Sequence, residues 1–172
     1  MEGETQGRAA LVERYRYRVW RIAMSLTGRE SDSWDIAQEV FVKMMTRKGR
    51  FDSSAQFESW LYRVTHNVTM DHFRKTRRWK PLPETQEDPA DEEAVVSGRM
   101  ESKEARSDVQ KVLAQLPPKY RTALVLREME GESPEKIAKV FRIPEGLARW
   151  RVFRAREMFR EIWERNYGRF ED

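Results

Sequence analysis

The most constraining stretch of this 172-residue chain lies near its middle. Pro81, Pro83 and Pro89 stand there among Glu84, Glu87, Asp88, Asp91, Glu92 and Glu93, and Leu82 is the only large apolar side chain between 81 and 93. Each proline removes a backbone donor, the like charges repel, and almost nothing is available to bury. Such a stretch is expected to be extended or disordered. It divides the chain into two small domains, residues 8–80 and 106–165, around an acidic linker, 81–105. A surface loop within a single domain is the competing reading. The charge follows the same division. Residues 1–80 carry 16 basic and 10 acidic side chains, residues 81–105 carry 2 and 8, and residues 106–172 carry 15 and 11, so a formal charge of +4 conceals +6, −6 and +4.

Charged residues make up 36% of the chain and apolar residues 39%, which leaves a thin core. Amphipathic helices suit that balance better than a sheet buried on both faces. The expected fold class is all-α: two small helical bundles joined by an acidic flexible linker. Without cysteine there is no disulfide framework, thiolate zinc site or thiol nucleophile. No apolar run approaches the ~18 residues of a membrane span. The opening Met1-Glu2-Gly3-Glu4 lacks the basic-then-apolar pattern of a signal peptide. A soluble, cytoplasmic chain with no membrane insertion is the expectation.

In the first domain Leu11, Tyr15, Val19, Ile22 and Leu26 form one helical stripe, with Gly28 just past its end. A second helix, starting near Ser31 and Asp32, places Ile36, Val40 and Met44 on one face, with Gly49 beyond it. Ser53 and Gln56 have capping-box spacing for a third, whose buried stripe is Phe57, Leu61, Val64 and Val68. Arg63, Asn67, Arg74 and Arg78 lie on its other side, beside Lys75 and Arg77. This basic face, with Trp60, Tyr62, Phe73 and Trp79 nearby, suits a nucleic-acid backbone with exposed bases to stack. A solvated basic face over core aromatics fits the same pattern.

The string Asp35-Ile36-Ala37-Gln38-Glu39-Val40-Phe41, followed by Trp60-Leu61-Tyr62-Arg63-Val64-Thr65-His66-Asn67-Val68-Thr69-Met70-Asp71-His72-Phe73-Arg74, resembles the second conserved region of bacterial sigma factors, and the two-domain form resembles their extracytoplasmic-function (ECF) group. The resemblance implies that Asp35, Gln38, Glu39 and Val42 dock on the clamp helices of the RNA polymerase β′ subunit. It assigns capture of the non-template −10 strand to Phe51, Asp52, Ser53, Asn67 and Asp71, with Arg63, Arg74, Lys75, Arg77 and Arg78 on phosphates. Unstacking a base costs a few kcal/mol, which such a pocket and its cations offset. Trp60 is expected to pack the helix. Trp34 stands where the family has a small or acidic residue and receives no role.

In the second domain Val109, Val112, Leu113 and Leu116 make a short amphipathic helix, which Pro117-Pro118 stops. Tyr120, Leu124 and Leu126 follow, then Gly131. Ser133-Pro134 starts a helix carrying Ile137, Ala138 and Phe141. Pro144 opens a longer one with Ala148, Val152, Ala155, Phe159 and Ile162 on one face. Helix, tight turn and basic second helix describe a helix-turn-helix, from which Arg149, Arg151, Arg154, Arg156 and Arg160 can reach phosphates or guanine edges. Any small α-hairpin is the rival.

Leu116-Pro117-Pro118-Lys119-Tyr120-Arg121, the run Glu130 to Ala138, Ile143-Pro144-Glu145-Gly146 and Arg154-Ala155-Arg156-Glu157 resemble the fourth conserved sigma region. That implies −35 readout by Glu145, Arg149, Trp150, Arg151, Arg154 and Arg156, with other surface on the polymerase β flap. Three positions depart from the family: Arg142 replaces a turn glycine, Leu147 a small hydroxyl, and Trp150 a small side chain. If the turn needs φ > 0, Arg142 adds about 1 kcal/mol of strain. Trp150 is expected near the groove-reading surface, in contact with thymine methyls.

The function expected is that of an ECF sigma factor: binding core polymerase, recognising −35 and −10 elements of promoter DNA and opening the latter, with an anti-sigma factor as a further partner. The alternative is a stand-alone helix-turn-helix regulator, which leaves Asp35 to Glu39 unexplained. An enzyme has little support, since there is no phosphate-binding glycine loop, nucleophile elbow or metal-ligand spacing. No catalytic residue, metal or cofactor is assigned. His66 and His72 are expected to be exposed or near DNA. The tail from Glu164 to Asp172 is left unassigned.

Overall fold

The computed structural model describes residues 2–76 and 103–169, and all regular structure among them is helical. These residues fall into two compact units; of the expected linker, residues 81–102 lie outside the described residues, and 103–105 already belong to a helix of the second unit.

The first unit is three helices: α1 (Glu2–Thr27), α2 (Glu30–Thr46) and α3 (Ser54–Thr76). Gly28 takes φ 68°, and its N–H reaches the Met24 carbonyl at 2.8 Å, closing α1. α2 follows two residues later as an αα-hairpin, and Arg8 Nη1 donates to the Met45 carbonyl across it at 2.6 Å. Tyr15, Val19, Ile36, Ala37, Val40, Met44, Phe57, Leu61 and Val68 seal the centre. Each large aliphatic so buried contributes ~1.5–3 kcal/mol against exposure.

α2 begins at Glu30, ahead of the expected Ser31–Asp32 start, and its N-cap position is Arg29, which makes no side-chain capping bond. Ser33 is fully buried and donates to the Arg29 carbonyl at 2.5 Å, while Asp32 faces His72 Nε2 of α3 at 3.3 Å. His72 is therefore half-buried against α2, not on open surface. On α3 the buried side is wider than the apolar stripe. Thr65 and Thr69 are buried with their hydroxyls on the Leu61 and Thr65 carbonyls at 2.8 and 2.7 Å, so only their methyls face neighbours. The start of α3 is bracketed as expected but one residue wider: the Gln56 N–H donates to Ser53 Oγ (3.1 Å), and Gln56 Oε1 accepts from the Asp52 N–H (2.6 Å). Glu58 ties α3 back to α1, accepting from the Tyr15 hydroxyl (3.0 Å) and Arg18 (3.2 Å). Burial, and then the Glu58 carboxylate, push the Tyr15 phenol up from 10.0.

The second unit holds α4 (Lys103–Leu113), α5 (Pro118–Leu124), a π-helical turn (Val125–Met129), α6 (Pro134–Phe141) and α7 (Glu145–Tyr167). Pro118 opens α5 in its first turn. Arg121 is 3% exposed, and its Nη2 donates to the Ala114 and Leu116 carbonyls at 2.7 and 2.9 Å, satisfying the end of α4. Burial lowers this guanidinium to about 10. Ser133 caps α6 by accepting from the Lys136 N–H at 3.2 Å. Ile137, Ala138 and Val140 of α6 and Ala148, Val152 and Ala155 of α7 are buried. α7 runs on to Tyr167, so residues 164–167 of the tail are helix. Tyr167 stands 4.8 Å from the Trp163 ring and donates to Asp108 of α4 at 3.0 Å.

Candidate nucleic-acid and partner interfaces

On α2 the helical period separates two faces. Ile36, Val40 and Met44 are buried, while Asp35, Gln38, Glu39 and Val42 all face solvent, Val42 at 60% exposure. Glu39 is paired only loosely with Lys43, at 3.6 Å on the open surface, so screening leaves it available. The four candidates form one acidic and apolar strip one to two turns long.

The residues assigned to strand capture do not all share one environment. Asp52 and Ser53 are exposed at the mouth of α3; Asn67 and Asp71 are exposed one turn apart along it. Arg74 donates to Asp71 at 2.5 Å and Lys75 is exposed beside it, while Arg63 is half-buried. Arg77 and Arg78 lie outside the described residues. Phe51 is not an open stacking platform. Its ring lies 5.1 Å from Phe57 and 5.4 Å from Trp60, and Arg47 covers it with Cζ 4.0 Å from the centroid. Trp60 packs into this cluster. Arg47, to which the sequence pointed in no way, also donates to the Gly49 carbonyl at 3.3 Å and holds the loop that presents Asp52. Arg47 and Phe51 are four positions apart in a non-helical loop, where helical i,i+4 pairing does not apply, so the sequence pattern gave no reason to pair them.

The second unit contains the expected helix-turn-helix. α6 ends with Arg142 in the left-handed region (φ 55°, ψ 49°), and the Ile143 N–H returns to the Ala138 carbonyl at 3.0 Å. That is the closing bond of a Schellman end, which glycine adopts without strain. Glu145, Gly146, Leu147 and Arg149 are exposed at the start of α7, with Arg149 donating to Glu145. Trp150 is half-buried, edge-on to Tyr120 of α5 at 6.1 Å. Leu147 is therefore the exposed large apolar side chain at this helix start. Arg151 lies over the Phe141 ring at 4.7 Å, and Arg154 reaches Glu157 at 3.3 Å and Glu161 at 3.4 Å. Arg156 pairs with Glu128 of the π turn at 2.5 Å, with 15% of its side chain exposed, and acts as a strut within the unit.

No described helix is long and apolar enough to cross a membrane. Residues 11–79 match the family model Sigma-70 region 2, and residues 106–159 match Sigma-70, region 4. The ECF RNA polymerase sigma factor SigE of Mycolicibacterium smegmatis is 33% identical over 158 residues, covering 88% of this chain; the chain spans 59% of that longer relative. The ECF RNA polymerase sigma-E factor of Escherichia coli K12 is 32% identical over 170 residues, covering 91% of this chain and 86% of the relative. Among solved structures, the sigma factor RpoE of Bartonella quintana, in complex with the anti-sigma factor NepR, superposes with a TM-score of 0.67 at 20% identity, over 95% of this chain and 98% of that one.

Proposed function

The chain belongs to the ECF group of RNA polymerase sigma factors of the sigma-70 family, and from that premise we propose how its two units divide promoter-specific initiation between them. Core RNA polymerase and promoter DNA are its partners. The α2 face of Asp35, Gln38, Glu39 and Val42 takes the β′ clamp helices. Asp52, Ser53, Asn67 and Asp71 receive the displaced −10 strand, with Arg63, Arg74, Lys75, Arg77 and Arg78 along its phosphates. Arg47 and Phe51 act from behind as supports of the loop. Glu145, Arg149, Arg151 and Arg154 meet the −35 element, and Leu147 offers the apolar contact that a thymine methyl accepts. Trp150 and Arg156 set the angle of α7.

The second unit also contacts the β flap. The linker's charge keeps it off DNA and suits a basic channel. The chain makes no bond itself, since phosphodiester synthesis belongs to the polymerase, and it works in the cytoplasm. An anti-sigma factor that masks the polymerase-facing surface is the natural regulator.

The observation that carries this reading is the α2 row, in which all four side chains of the docking string point outward while Ile36, Val40 and Met44 hold the helix down. The decisive experiment adds the chain to sigma-free core polymerase on a promoter library and maps transcript starts. Specific initiation that depends on the chain is expected. Binding to a −35-like sequence with no initiation would instead establish a stand-alone regulator.

A further inference from the structure

Trp34 has no place in that assignment. It directly precedes Asp35 and lies one turn from Gln38 on α2, with 47% of its surface exposed. Its ring stands 5.7 Å from that of Trp20 on α1, inclined at 34°. Trp20 in turn stacks at 5.8 Å on Tyr17, which is 64% exposed and carries Arg21 at 5.8 Å from its ring centroid. Three rings from two helices thus form one shelf, each held in place by its neighbour. Along α2 the shelf continues through Gln38 to Val42 and Met45, at steps of four, four and three residues. At 1.5 Å per residue this row runs about 16 Å. Asp35 and Glu39 edge it.

Single exposed apolar residues need no explanation. A continuous row of Tyr17, Trp34, Val42 and Met45 with an acidic edge is different, because aromatics and methionine inside a charged rim are the composition of interface centres. We propose that this aromatic shelf extends the polymerase-docking face from α2 onto α1, with Trp34 as its anchor. The inference rests on the reading of α2 given above.

Continuity identifies the occupant. A helix is ~10–12 Å across with its side chains, and one turn along α2 is only ~5.4 Å. A helical partner lying on Asp35 and Gln38 therefore also lies on the Trp34 indole. The polymerase segment received here is apolar at its centre, with cations toward Asp35 and Glu39. The rings are ordered before binding, so their burial costs little side-chain entropy.

The test measures the affinity of the full chain for core polymerase by competition, with melting temperature recorded for every variant. Trp34→Ala is expected to weaken core binding by about thirtyfold, in the range of an interface hot spot. Tyr17→Ala weakens it several-fold, and Trp34→Phe keeps most of the affinity. Gln38→Ala serves as the comparison. If Gln38→Ala weakens binding and Trp34→Ala does not, the shelf is only surface packing and the inference falls while the α2 reading stands. If neither weakens it, the α2 reading falls and takes the shelf with it. Loss of self-association in Trp34→Ala with core affinity intact also overturns the proposal. Should Trp34→Ala fold poorly, oxidative footprinting of the wild-type chain decides. Trp34 and Tyr17 become protected in the holoenzyme if the polymerase covers them, and equal reactivity, free and bound, refutes it.

Discussion

In the first unit Asp35, Gln38, Asn67 and Asp71 stand on long, regular helices whose opposite faces are closed by apolar side chains. In the second unit the start of α7 is positioned by backbone irregularities and buried charge: the left-handed Arg142, the π turn after α5, the Arg121 guanidinium on the Ala114 and Leu116 carbonyls, and the Arg156–Glu128 strut. The difference bears on how each unit tolerates change. On a regular helix, binding residues can vary while the core keeps the backbone in place. Where one buried charged group sets an angle, losing it alters the fold before it alters the surface. π turns are rare and frequently sit at functional sites.

The sharpest way to break this contrast is Arg121→Ala. It removes a 3%-exposed guanidinium and takes its donor from the buried Leu116 carbonyl and the part-buried Ala114 carbonyl, a loss of about 3 kcal/mol. Hydrogen exchange should show the 103–169 amides opening faster while those of 2–76 stay protected. Equal protection in both units would deny Arg121 its structural part. Next in size is Asn67→Ala on the regular side. Affinity for a single-stranded −10 oligonucleotide should fall roughly fivefold, about 1 kcal/mol, with melting temperature and core affinity unchanged. A drop in melting temperature would mean that α3 is no more tolerant than α7.

Arg142→Gly should go the other way. Removing a side chain from a left-handed position relieves about 1 kcal/mol, so the thermal midpoint of the second unit rises and that of the first does not move. The smallest effect is a pH dependence. The Lys111 hydrogen bond, and then Tyr167, hold Asp108 below the ordinary 3.8. A depressed carboxylate binds its proton less readily folded than unfolded, so its contribution is present above pH 3.8 and is lost as pH falls through the lowered value. Emission from Trp163, which packs on Tyr167, should change in that acid window in the wild-type chain. In Asp108→Asn the change should be absent.

Helical period made the apolar framework legible from the residues alone. Tyr15, Val19, Ile36, Val40, Phe57, Leu61, Ile137, Ala148 and Val152 are all buried where spacing put them. The helix-turn-helix and the demand on Arg142 were legible for a related reason, since turn chemistry and φ preference are local. Polar residues concealed more. Asp32 read as a helix start, and Ser33, Thr65 and Thr69 belong to no apolar stripe, yet all four are buried. A hydroxyl that bonds its own helix, or a carboxylate that finds a histidine on another, loses the cost of burial that pattern reading assumes.

The order of apolar and charged residues by itself determined an all-helical chain in two parts, and its strings identified the family. Those properties follow from helical period, proline chemistry and the spacing of functional side chains. Only the tertiary structure decided which candidates are open and which are spent: Arg47 closing over Phe51, Trp150 turned onto Tyr120, Arg156 bound to Glu128, and Trp34 joined to Trp20 and Tyr17. A guanidinium or an indole takes its role from the nearest partner in space, and in these pairs the partner usually stands on a different helix, at a separation along the chain that no local rule specifies.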